Sequence, residues 1–155
     1  MNNIVAEEYK IGNCVKAQFS CGVIANIIIT GITVDKIGGA HLEYKAMDKK
    51  LDVLLNHAIV EKVEKIELTD SKVSKFMAEN GFGSKSDSVD YNGTVGIEHL
   101  KPNEKCGYKE WWSVYYRRNN LLCVVRGLKY LHEMQQVFMD AGKYELAKKL
   151  ALYFR

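Results

Sequence analysis

The chain carries a single proline, Pro102, and no long apolar run. The longest, residues 22–30 (Gly-Val-Ile-Ala-Asn-Ile-Ile-Ile-Thr), falls far short of the ~18–20 residues a membrane span needs and is interrupted by Asn26. The opening Met-Asn-Asn-Ile-Val-Ala-Glu-Glu has neither the basic flank nor the apolar core of a secretory leader, so no signal peptide is expected. There is no Cys-x-x-Cys pair and no histidine pair at helical ligand spacing, which argues against a structural zinc site. No Gly-x-Ser-x-Gly elbow and no Gly-x-x-x-x-Gly-Lys-Ser/Thr loop is present, which argues against hydrolase-type nucleophilic catalysis and P-loop nucleotide hydrolysis. Cys14, Cys21, Cys106 and Cys123 are irregularly spaced and are expected to be reduced, buried and inert.

What is present is an ordinary globular balance. The 155 residues are 47% apolar and 26% charged, enough for one compact domain or two very small ones. The net charge of +3 is uneven. Residues 1–70 carry eight Lys/Arg against ten Asp/Glu, whereas residues 101–155 carry eleven against five. A basic C-terminal third attracts polyanions or serves as a solvated surface.

The pattern predicts an α+β protein. Strands are expected at 11–19, 23–34 and 41–47, the second apolar on both faces and therefore central. One or two more are expected within 51–68, with Ile59, Val63 and Ile66 in the core. Short strands joined by tight turns suggest a small antiparallel sheet or an SH3-like open barrel. A short helix starts at Thr69 or Asp70, carries Val73, Phe76 and Met77, and ends at Gly81 with Phe82 as its apolar cap contact. The polar stretch 83–88 reads as a linker, dividing a β-rich part (1–82) from a hairpin-plus-helix part (89–155), and the two are expected to pack as one unit. In the second part, Asn92-Gly93 marks a turn and Asn119-Asn120 the bend of a hairpin spanning 108–126. A helix is expected from Gly127, with Leu128, Leu131, Met134, Phe138 and Ala141 as its apolar stripe, and another from Tyr144.

Two segments resemble known sequences. Ile66-Glu-Leu-Thr69, a short helix and Asn80-Gly-Phe82 form one, and Lys129-Tyr-Leu-His-Glu-Met-Gln135 the other. With the early Ile11-Gly-Asn13, their order resembles that of small proteins encoded by phages and prophages of gut bacteria. This chain departs from that pattern in having Glu-Leu where Pro-Leu is usual, and in a longer, more basic tail after Gly142. The resemblance carries no catalytic residue. It implies an accessory protein of a mobile element and no defined reaction. Taken with the lack of catalytic motifs and an aromatic and cationic strip within residues 111–118, it leads to the expectation of a non-enzymatic binding protein in the host-cell cytoplasm, a counter-defence factor that sequesters a nucleotide signal or blocks a host protein.

The strongest chemical signal is Trp111-Trp-Ser-Val-Tyr-Tyr-Arg-Arg118. On a strand, Trp112, Val114 and Tyr116 share one face, while Trp111, Ser113, Tyr115 and Arg117 share the other. The first set suits a core under the final helix. The second forms an aromatic and cationic strip that suits bases and phosphates or a protein partner, or else is buried against the rest of the chain. Trp111, Tyr115, Arg117 and Arg118, with His132, are therefore the candidate ligand-binding residues. His132 reads either as a base or phosphate-recognising group or as a boundary residue bonded to the sheet, with Gln135 as its polar neighbour. His41 and Glu43 share a strand face but lack the Pro-Cys-x-x-Cys partner of a zinc deaminase. No metal and no cofactor is expected. The expected partner is a nucleotide or host protein. Nucleic acid and self-association are alternatives, as is a small nucleotide-acting enzyme using His132, His41 or a cysteine.

Overall fold

The computed structural model describes residues 8–155, except positions 38, 56–57, 87–88 and 108 and the side chains of 84–86. The chain forms two compact units, Met1–Ile66 with Phe154–Arg155, and Glu67–Tyr153. The division thus falls before the first long helix, not in the 83–88 stretch, where Ser84–Ser86 pair as a strand.

The first unit is a four-stranded antiparallel sheet of β1 (Cys14–Phe19), β2 (Ile24–Val34), β3 (Ala40–Ala46) and β4 (Val60–Glu64), in the order β3-β2-β1-β4. β3 and β4 are its edges, so the sheet is open rather than a closed barrel. β2 is interior, as its apolar composition requires, and Val15, Ala17, Phe19, Ala25, Ile27 and Ile29 alternate into the core. Asn26, the polar interruption of that run, donates from Nδ2 to the Phe154 carbonyl at 2.7 Å. The β2–β3 register shifts between Ile29 and Gly31, and a Cβ at Gly31 would lie 2.6 Å from the Glu43 carboxylate.

Two expectations fail here. Lys49–Leu54 is a short helix, α1, not a strand. Asp48 supplies the reason, because its carboxylate accepts from the Lys50 N–H at 2.9 Å and satisfies a free helix donor. Ile59 is exposed and Val60 is the core residue, because Val63 pairs with Ala17 and Val60 with Phe19, and the register shift between Gln18 and Phe19 turns both valines to the core.

The second unit begins with α2 (Asp70–Glu79) and continues through β5 (Ser84–Ser86), β6 (Val89–Asn92), β7 (Val95–Leu100), β8 (Trp111–Arg118) and β9 (Leu121–Leu128) to α3 (Leu131–Asp140) and α4 (Tyr144–Leu152). Its five strands form an antiparallel meander in chain order. Asn119 (φ 51°) and Asn120 (φ 63°) both adopt the left-handed region that a primed two-residue turn demands. The last long helix starts at Leu131, not near Gly127. Gly127 (φ 74°) instead belongs to β9, where the β8–β9 register shifts between Trp112 and Val114. Tyr130 then precedes the first helical turn, and its N–H donates to Glu133 Oε1 at 3.0 Å.

Phe76 of α2 is completely buried, with the rings of Phe82, Phe138 and Tyr153 centred within 6.0 Å of its own. Gly81 takes φ 78°, which turns the chain so that Phe82 reaches that cluster. Leu131, Met134 and Phe138 form the buried stripe of α3. Gln135 is buried beside them and donates to the Ala147 carbonyl of α4 at 3.1 Å.

Candidate functional site

β8 divides the second sheet into two chemically distinct faces. Trp112 (2% exposed), Val114 and Tyr116 point to one side with Ile97 and His99 of β7. This is the side that carries helices, since α2 residues line a cleft with His99 and Trp112. Trp111 and Tyr115 are half-buried and Arg117 is exposed on the other side. Across β9 they meet Leu122 (opposite Arg117), Val124 (opposite Tyr115) and then Arg126. Leu122 and Val124 are 56% and 37% exposed. The Tyr115 hydroxyl donates to Glu98 Oε1 at 3.1 Å. Its phenol is held above its ordinary pKa, first by partial burial and then by the Glu98 bond and charge, while Arg126 pulls it down.

Gly96 makes this face continuous. It sits between Tyr91 on β6 and Tyr115 on β8, and a Cβ there would come within 2.7 Å of the Tyr91 ring and 2.6 Å of Val89 Cγ1. The absent side chain lets the Tyr91 ring approach the Gly96 backbone closely. The result is a lateral row of Tyr91, Gly96, Tyr115 and Val124, with Arg117 and Arg126 flanking Tyr115 and Val124. β9 ends the sheet, and among the described residues no strand pairs with its outer side. A strand in that position presents free backbone donors and acceptors.

The structure therefore places Trp111, Tyr115 and Arg117 together. Arg118 alternates to the side of Tyr116, whose own pKa is raised first by burial, with Arg118 opposing that shift. His132 is 3% exposed and belongs to α3 rather than to the β8 strip. His41, exposed on β3, contacts Asp35 at 3.4 Å. Two of the four thiols, Cys21 and Cys106, are exposed, against the expectation that all are buried. Cys21 falls in the β1–β2 turn and Cys106 at the end of a one-turn 3₁₀ helix between β7 and β8. Cys14 is buried and its pKa is pushed up to about 12 by desolvation.

A second cluster lies on the helix side, where sequence reading found nothing. His99 stacks on Trp112 with ring centroids 4.8 Å apart and planes 11° from parallel. Its Nε2 is 2.7 Å from Glu110 Oε1, and its Nδ1 is 3.5 Å from Asp70 Oδ1. The three residues come from the end of β7, the lead into β8 and the first turn of α2. Asp70 and His99 border a cleft of about 460 Å³ that is also lined by Ser74, Asp90 and Lys101. No local spacing joins positions 70, 99 and 110. Only the His99–Trp112 register and the docking of α2 bring them together. The one available signal was Glu110 two residues before Trp112, which alternation puts on the same face.

No family model matches the chain, and neither does any curated protein or solved structure. Among the described residues no helix is long and apolar enough to cross a membrane.

Proposed function

We propose that this chain is a non-enzymatic binding protein whose working surface is the Trp111–Tyr115–Arg117 face of the second sheet together with the β9 edge. Its occupant is an acidic, extended segment of another protein. The resemblance to phage and prophage proteins makes a host protein the natural source of that segment. The observation that carries the reading is the composition of one edge strand. β9 offers exposed Leu121, Leu122 and Val124 along its length, with Arg117, Arg118 and Arg126 beside them. Long exposed apolar edge strands are normally blunted because they recruit other strands. Strand addition takes its affinity from backbone hydrogen bonds and its specificity from alternate side chains. Aliphatic residues of the incoming strand would meet Leu122 and Val124, and its carboxylates would meet the arginines. Tyr115 and Trp111 supply the large, rigid contact area typical of interface anchors.

The test is selection of short random peptides on the immobilised protein. Enriched peptides should alternate aliphatic and acidic residues. Their affinity should drop about tenfold or more with Arg117→Glu plus Arg126→Glu and should weaken as salt rises. If no peptide is enriched while a panel of nucleotides binds at Tyr115 and Arg117, the sheet face is a base-stacking surface and the protein-partner reading is wrong. Peptide binding that ignores the double arginine change also contradicts it.

A further inference from the structure

The geometry points to a divalent transition-metal site at His99 Nδ1 and Asp70, with Glu110 as the group that orients the imidazole. It is independent of the sheet-face reading. A neutral imidazole has one N–H and one lone pair. Glu110 Oε1, 2.7 Å from Nε2, is an acceptor and fixes the proton there. Nδ1, which carries the lone pair of the neutral ring, lies 3.5 Å from Asp70 Oδ1, itself an electron-rich oxygen. A ring nitrogen and a carboxylate oxygen at that separation can share one cation between them. Tetrahedral ligands at the ~2.0–2.1 Å of zinc–nitrogen and zinc–oxygen bonds lie about 3.4 Å apart, which matches that gap. The 2.7 Å Nε2–Oε1 distance is that of a hydrogen bond and fits the carboxylate–histidine–metal arrangement, in which the outer carboxylate sets tautomer and ring direction.

The supports are built, not incidental. His99 is 19% exposed and is stacked on the fully buried Trp112, so its ring cannot swing freely. Asp70 Oδ1 also accepts from Ser74 Oγ at 2.8 Å, which holds the carboxylate on the first turn of α2. The remaining coordination positions open into the cleft of about 460 Å³, where Asp90 and Lys101 are the other charged groups. A mixed nitrogen and oxygen set favours zinc-like cations over magnesium, which prefers oxygen alone.

The experiment titrates the intact chain with Zn²⁺ alone near pH 7.5, by calorimetry and by nitrogen NMR of labelled histidine rings. Zn²⁺ should move the His99 Nδ1 resonance to a metal-bound position, and excess Mg²⁺ should not displace it. His99→Gln and Asp70→Asn should each weaken binding about tenfold or more, and Glu110→Gln by a similar factor. His41→Gln should leave it unchanged. Asp70 is 57% exposed, so its variant tests the site even if His99→Gln fails to fold. The proposal is overturned if Nδ1 carries a proton at that pH and excess Zn²⁺ does not displace it, for then a proton supplies the charge. It is also overturned if the Zn²⁺ affinity survives both ligand substitutions.

Discussion

Trp111 and Trp112 are neighbours in β8 and point to opposite sides of the second sheet, Trp112 sealed at 2% exposure against the helix side and Trp111 half-buried on the other. The single-residue alternation of a strand is the whole cause. It separates a residue sealed under the helix side from one that shares the face of Tyr115 and Arg117. Trp112→Ala should cost about 3–5 kcal/mol, the range for truncating a buried aromatic. Trp111→Ala should cost less than half as much. Denaturant unfolding of the two variants checks the order, and equal losses would mean that the two indoles do the same job.

Gly96 predicts a coupled effect on stability and surface. Gly96→Ala forces a Cβ to within 2.7 Å of the Tyr91 ring and 2.6 Å of buried Val89. The expected loss is about 1–3 kcal/mol, the usual cost of overpacking. Tyr91 should rotate off the sheet, so its NMR contacts with the Gly96 backbone should vanish. An alanine variant with unchanged stability and an unmoved Tyr91 would show that the row across the sheet is loose.

The four thiols should separate by reactivity. Cys21 and Cys106 are exposed and should alkylate in the folded protein, whereas Cys14 should react only on unfolding. Mass spectrometry after a short pulse of iodoacetamide reads this directly. Burial also ties Cys14 to pH. Its folded pKa is raised from 9.0 to about 12, so the unfolded thiol ionises first as pH rises. Below pH 9 the native state suffers no penalty. Between pH 9 and about 12 the folded state retains a proton that the unfolded state has lost, so stability falls. Cys14→Ala should flatten the pH dependence of stability in that window relative to wild type. An identical slope in both proteins would contradict the assignment.

The β8–β9 turn offers a stabilising change. Asn119 and Asn120 both sit at positive φ, and glycine meets no steric penalty there. Asn120→Gly creates the preferred Asn-Gly pair of a primed turn and should raise stability by a few tenths to about 1 kcal/mol. Asn120→Val should lower it, because a β-branched residue resists that conformation. Thermal unfolding of the pair should bracket the wild type.

Much of this fold is legible in local pattern. The α+β class follows from strands of period two and helices of period 3.6, and the helix at 70–79, the Asn119-Asn120 turn and the Trp111/Trp112 split need no long-range information. Failures came where one local rule overrode another. Asp48 caps Lys49–Leu54 into a helix where a polar break and a strand were expected, and Gly127 makes a bulge in β9 where a helix start was expected. The His99 cluster was illegible for a different reason. Asp70, His99 and Glu110 are brought together by strand register and helix docking, and no spacing in the sequence encodes either. Tyr91 against Gly96 is hidden in the same way, since only pairing of β6 with β7 sets a glycine beside a ring.

The most direct test of the sheet-face account uses protein labelled with ¹⁵N only in tryptophan, which gives two indole signals, assigned through Trp111→Phe. Titration with the tightest peptide from the selection should shift the Trp111 indole and leave Trp112 in place. A peptide that binds while shifting Trp112 alone, or neither indole, would put the working surface elsewhere and contradict the account.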